Sequence, residues 1–198
     1  MTHTLHRRAR PARCAAPVIA LLLAMGTATR AGAKVFLTQA EALRLAFPPP
    51  ARVERKTAFL SVRQLERARA LAGSDVEVKS ALVVYYIGRL AERELGTAYF
   101  DTHLVRTLPE TLMVVVDPAG KIERIEVLAF SEPEEYLPRP LWVDQFKRRG
   151  LEPDLSLKGA IHGLTGATLT ARAVTLAARR VLALHPVVHG GPAEGAKP

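Results

Sequence analysis

The stretch His162-Gly-Leu-Thr-Gly-Ala-Thr-Leu-Thr-Ala-Arg-Ala-Val174, HGLTGATLTARAV, decides how the chain is read. Its first half is built of turn formers and its second half starts a helix. Beyond it, Val174, Ala177, Ala178 and Val181 recur at helical spacing, so the pattern predicts a helix from Thr168 to His185, stopped by Pro186. Arg172, Arg179 and Arg180 fall away from the apolar face. Two readings of LTGATLT stand side by side. Thr is a good N-cap residue, Gly permits unusual backbone angles and Ala starts a helix well, so capping alone accounts for the string. Alternatively, the first backbone N–H groups of a helix, unpaired and at the positive end of the macrodipole, form a site for a phosphate.

Working back from the motif, LEPDLSLKGAIHG is a polar loop and PRPLWVDQFKRRG a short helix, with Pro140 in its first turn and Gly150 after its end. TLMVVVDPAGKIERIEVLAF reads as a hairpin: Asp117, Pro118 and Gly120 suit a type I turn. In the second arm strict alternation puts Ile122, Arg124, Glu126 and Leu128 on one side and Glu123, Ile125, Val127 and Ala129 on the other. ALVVYYIGRL and TAYFDTHLV are rich in aromatic and β-branched residues and read as strands, with Gly88 and Gly96 around their turn. The connections are too short for parallel crossovers, so the expected fold is α+β, with a mostly antiparallel sheet of four or more strands packed with helices.

Residues 34–75 read as a helical segment packed on that core. Thr38 and Glu41 form a capping box ahead of Ala42, Leu45 and Ala46, and Ser61 and Gly73 bracket a second helix striped by Val62, Leu65 and Ala68. The core domain is expected over 76–187, with a frayed tail over 188–198.

Residues 1–33 have the grammar of an export signal: a basic start, an apolar run too short to span a bilayer, and Ala31 and Ala33 before a cleavage point. The expected location is extracytoplasmic, periplasmic or secreted, with an uncleaved N-terminal anchor as the alternative. The net charge of the 198-residue chain is +9, but five arginines and no acid lie in the leader, so the processed chain would carry +4. Its basic residues are interleaved with acids, which argues against nucleic acid as a partner. The lone Cys14 also lies in the leader, which excludes disulfides, iron–sulfur clusters and a cysteine nucleophile from the processed chain. Asp101 and His103, two apart in a strand, read as a polar cross-strand pair rather than a metal site.

The TGATLT run resembles the flavinylation motif of FMN-binding domain proteins, the family that includes the flavin-bearing subunits of Rnf-type complexes and of the sodium-translocating NADH:quinone reductase. GKIERIEVLAFSEPEEYLPRPLWVDQF is similar to that family's hairpin, its Glu- and Tyr-containing loop and its Trp/Gln/Phe helix. The resemblance covers about residues 110–185. It implies FMN joined through its phosphate to Thr168, with Leu164, Thr165, Gly166 and Ala167 around it and Glu132, Tyr136 and Trp142 as further cofactor contacts. It also implies a Mg-dependent flavin transferase using FAD, and redox partner proteins, membrane-bound ones among them. His162 stands where the family has Asp.

From these features the chain is expected to be an electron-transfer module with no catalytic residue or metal of its own, itself the substrate of the transferase. A flavin-free binding or scaffold module is the alternative. A reductase with its own substrate would need a nicotinamide-binding glycine fingerprint, and none is visible.

Overall fold

The computed structural model describes residues 34–190, which fall in one compact unit. The export signal, its cleavage point and the tail after Gly190 lie outside the described residues. Six strands form one fully antiparallel sheet: β1 (Lys34–Val35), β2 (Arg52–Phe59), β3 (Leu82–Leu90), β4 (Arg93–Leu104), β5 (Pro109–Val116) and β6 (Ile122–Phe130). Their order is β1-β6-β5-β4-β3-β2, so the chain meanders from β2 to β6 and β1 closes the far edge. Helices α1 (Gln39–Ala46), α2 (Val62–Ala72), α3 (Pro140–Val143) and α4 (Thr168–Val188) complete the α+β fold.

Both faces of the sheet are covered. On one, Leu112, Val114 and Val116 of β5 meet Ala171, Val174, Ala177, Ala178 and Val181 of α4. On the other, Met113 and Val115 pack with Ala42, Phe47, Ala98 and Leu128. Period-2 alternation in β5 therefore feeds two cores, and the strand is apolar from Leu112 to Val116. The predicted hairpin turn is present: Gly120 N donates to Asp117 O at 2.9 Å, and Asp117 Oδ1 accepts from the N–H groups of Ala119 and Lys121.

Several expectations need correction. Segment 34–75 holds its two helices, each opened by the expected capping box, but also β1 and β2. Strand β2 reads RVERKTAF and its residues are mostly exposed, because an edge strand needs ladder bonds more than apolar contacts. Leu45 and Val62, assigned to apolar faces, are exposed; Ala42 in α1 and Ala68 and Ala72 in α2 are the buried residues. Strict alternation in β6 fails because register shifts occur opposite Val115/Val116 and Thr111/Leu112, so Ile122 and Ile125 share one core while Leu128 joins the other. Pro186 does not stop α4, which runs on to Val188. A proline so near the helix end deletes one hydrogen bond, while Val187 is buried and His185 and His189 dock on the sheet.

Gly88 and Gly96 lie directly opposite each other inside β3 and β4 rather than at the turn. They make room. A Cβ on Gly88 would sit 2.2 Å from the Phe47 ring, and one on Gly96 would sit 2.7 Å from Val116 O. Phe47 is 3% exposed and caps the second core. Gly88→Ala is therefore expected to cost about 1–3 kcal/mol through displacement of that ring, read as a lower denaturation midpoint with an unchanged slope.

Candidate functional site

Leu164 to Ala167 form a β-turn, with Ala167 N donating to Leu164 O at 2.9 Å and Gly166 at φ +79°. A type II turn demands a positive φ at its third residue, which is the reason for glycine there. The turn delivers the chain into α4 with Ala167 as N-cap residue, and no side chain caps the helix. The capping reading of LTGAT thus fails at its central point: the position a Ser, Thr, Asp or Asn would fill holds a residue that cannot accept a hydrogen bond. Thr168 is the first helical residue and is exposed. The N–H groups of the first turn have no acceptor within the helix, and they lie beside a cavity.

That cavity, of about 210 Å³, is lined by Val105, Arg106, Glu132, Tyr136 and Gly166–Thr170. Of the residues expected at the site, Thr168, Gly166, Ala167, Glu132 and Tyr136 come together here. Thr165 is exposed at the turn, and Leu164 packs against the main core; neither lines the cavity. Trp142 is buried against Phe146 and outside the lining. Its indole N–H donates to His162 O at 2.8 Å, while Gln145 Oε1 accepts from His162 N at 2.8 Å. The α3 segment thereby grips the backbone of residue 162, and the side chain there is exposed. Trp142 positions the loop.

Sequence reasoning missed Val105 and Arg106. They sit in the short β4–β5 connection, where Val105 N donates to Leu108 O at 3.1 Å. Only the sheet's pairing brings that connection next to α4, so no local pattern could have marked it. Arg106 places a cation at a cavity that already holds the positive end of a helix.

Two features fit a phosphate-bearing organic ligand. Glu132 Oε1 is buried and has no hydrogen-bond partner, so the cavity wall offers an acceptor awaiting a donor. Tyr136 and Leu169 are large, apolar and about two-fifths exposed at the rim, a surface for a flat ring. The cavity is smaller than a whole flavin nucleotide, so part of such a ligand would lie across this rim. Three roomier clefts, of about 490, 330 and 310 Å³, are not lined by any residue of Leu164–Thr168. Among the described residues no group of three or more His, Cys, Asp or Glu could hold a metal ion, and no helix is long and apolar enough to cross a membrane.

Behind the cavity runs a buried polar chain. Arg180 of α4 donates to both oxygens of Asp101, from Nε at 2.7 Å and Nη2 at 3.0 Å, and to Glu77 O at 3.1 Å. Asp101 Oδ1 meets His103 Nδ1 at 2.8 Å, and His103 Nε2 meets Glu110 Oε2 at 3.0 Å across β4 and β5. The Asp101–His103 pair is thus the middle of a four-residue network. Arg180 belongs to it, and Arg179 donates to the carbonyls of Ala72, Glu152 and Leu155; these are structural clamps, not a solvated cluster. Burial opposes the charge on His103, but its two carboxylates prevail and raise its pKa to about 9. Burial also opposes ionisation of Asp101, and the bonds from His103 and Arg180 overcome it and lower the pKa. For Glu110 burial wins and the pKa is raised.

An antiparallel sheet backed by a helix whose uncapped N-terminus borders a part-apolar cavity defines an α+β domain with a candidate site for a phosphate-bearing ligand. Residues 108–183 match the family model of the FMN-binding domain. The match supports an FMN-binding domain in that segment, with FMN as its cofactor. Searches of curated proteins and of solved structures gave no match.

Proposed function

We propose that this is an exported protein that carries FMN covalently on Thr168 and passes electrons between partner proteins. One observation carries the reading: an exposed Thr hydroxyl at the first position of an uncapped helix, beside a cavity with an orphaned carboxylate oxygen. The first-turn N–H groups and Arg106 hold the phosphate, Glu132 accepts a hydrogen bond from the cofactor, and Tyr136 and Leu169 shield one side of its ring. When bound, FMN supplies reversible electron and proton uptake.

Attachment is the work of a Mg-dependent flavin transferase. Thr168 Oγ1 attacks the phosphorus of the FMN half of FAD, the bond to the AMP half breaks, AMP leaves and the hydroxyl proton passes to a base. A Thr hydroxyl is a weak nucleophile unaided, so the transferase's Mg²⁺ and base provide the activation. The exposure of Thr168 suits reaction in another enzyme's site. His162, in the family's Asp position, is held by its backbone and leaves its side chain free to meet that enzyme. Outside the cytoplasm a lost cofactor is not readily replaced, which is the advantage of a covalent link. Cleavage near Ala33 would release the protein, and retention of the leader would anchor it to the membrane.

Protein co-expressed with a flavin transferase is expected to stay yellow after denaturation and to gain the mass of FMN less water. Colourless protein of polypeptide mass would instead leave a binding or scaffold module.

A further inference from the structure

The network behind the cavity has no part in holding the cofactor, yet it ends in an anomaly. Glu110 is fully buried, only one of its oxygens is bonded, and Oε1 has no partner. Burial with one oxygen unbonded favours the neutral form of such a carboxyl and raises its proton affinity. Its position is also particular. His103, paired with Glu110 from β4, is two residues before Val105, and Phe130, paired with Glu110 from β6, is two residues before Glu132. Two strand residues span about 7 Å, so Glu110 sits about that far along the sheet from two of the cavity's lining residues. Ser131, between Phe130 and Glu132, has a buried hydroxyl without a partner, and its N–H donates to Pro109 O at 3.2 Å.

We propose that Glu110, held by His103 and through it by Asp101 and Arg180, takes up a proton from solvent when the cavity gains an electron, and so sets the potential of the bound flavin. The inference rests on FMN occupying this cavity. One electron from a donor protein and one proton from solvent enter together, the proton closing the O–H bond on Glu110. The charge behind the cofactor therefore does not grow on reduction. An ionised Glu110 repels an incoming electron; a protonated one does not.

The charged groups facing Glu110 decide how strongly it responds. From β4 come His103, a cation below about pH 9, and Asp101, an anion tied by Arg180 of α4. Arg106 and Glu132 face the cavity itself. His103 bonds only one oxygen, so burial of the other keeps the proton affinity of Glu110 above that of a free carboxylate. Glu110 is a positioning and tuning residue, not a catalytic one.

The test is a potentiometric titration of flavin-loaded protein, checked by intact mass, from pH 5 to 9 for wild type and Glu110→Gln. Loss of the negative charge is expected to leave the two potentials close at pH 5 and to separate them as pH rises, the wild type falling further. Glu110→Asp should restore part of the separation. Carboxyl carbon NMR of the flavin-free protein should show Glu110 titrating above an ordinary glutamate, a signal absent from Glu110→Gln. Parallel potential profiles in loaded protein would overturn this inference alone. Protein that carries no FMN would overturn the cofactor assignment with it, and a Glu110 that titrates as a free carboxylate would overturn the inference with or without flavin.

Discussion

Thr168→Ala is expected to abolish the mass gain of one FMN less water in protein co-expressed with a flavin transferase, whereas Thr168→Ser retains it. The predicted effect is all or none because the ester needs a hydroxyl at that atom and Ala has none. Stability should hardly move. The N-cap position belongs to Ala167, and Thr168 is an exposed first-turn residue whose hydroxyl caps nothing, so the change should fall within about 0.5 kcal/mol. That separation gives the experiment its force: a variant that folds with wild-type stability and is colourless has lost chemistry, not structure. Neighbouring Thr165 and Thr170 serve as controls. Thr165 is exposed on the turn and Thr170 is 1% exposed in the helix, and neither substitution should remove the covalent mass. Retention of covalent FMN by Thr168→Ala would place the link elsewhere.

Removal of Arg180 is expected to be the most damaging change to the fold. Arg180→Met strips Asp101 of two hydrogen bonds and its cation while leaving the carboxylate about 12% exposed between β4 and α4. His103 then remains its one charged partner, and a buried carboxylate stripped of its bidentate cation in this way costs about 3 kcal/mol, or roughly 10 °C in melting temperature for a domain of this size. Combining Arg180→Met with Asp101→Asn should recover at least half of that loss, because the neutral amide no longer needs the cation. Independent, additive losses would show that packing, not charge, is at stake.

The same network shapes stability against pH. Asp101, lowered in the fold, contributes stability present above its ordinary value of 3.8 and lost as pH falls through its folded value. His103, raised in the fold, contributes stability fully present below 6.5 and lost as pH rises through about 9. Raised Glu110 acts in the same direction as His103, favouring the fold until it ionises. Denaturant midpoints should therefore fall on the alkaline side between pH 6.5 and 9, and His103→Gln should flatten that fall.

Much of this molecule was legible locally. The capping boxes at Thr38 and Ser61, the Asp117–Gly120 turn and the start of α4 at Thr168 follow from chemistry within four residues, and each stands where expected. The signals that failed are those that depend on partners far along the chain. RVERKTAF forms an edge strand because β3 offers it a ladder, and nothing in its pattern says so. Two register shifts in β6 broke an alternation that the sequence shows plainly. Gly88 and Gly96 looked like turn residues, yet Phe47 and Val116 require them inside strands. Trp142, expected against the cofactor, instead grips the backbone of His162.

What the sequence determined by itself was the α+β class and the helix starts, the last helix opening at Thr168 among them, since these arise from neighbours in the chain. The tertiary structure alone decided that Arg106 and Glu132 share a wall with Thr168, that Ala167 leaves the helix open, and that Arg180 reaches Asp101 from 79 residues away. Such juxtapositions come from strand register and from the docking of α4 across the sheet. Burial then fixes the charge of each group, so the electrostatics of the site exist only once the layers have closed.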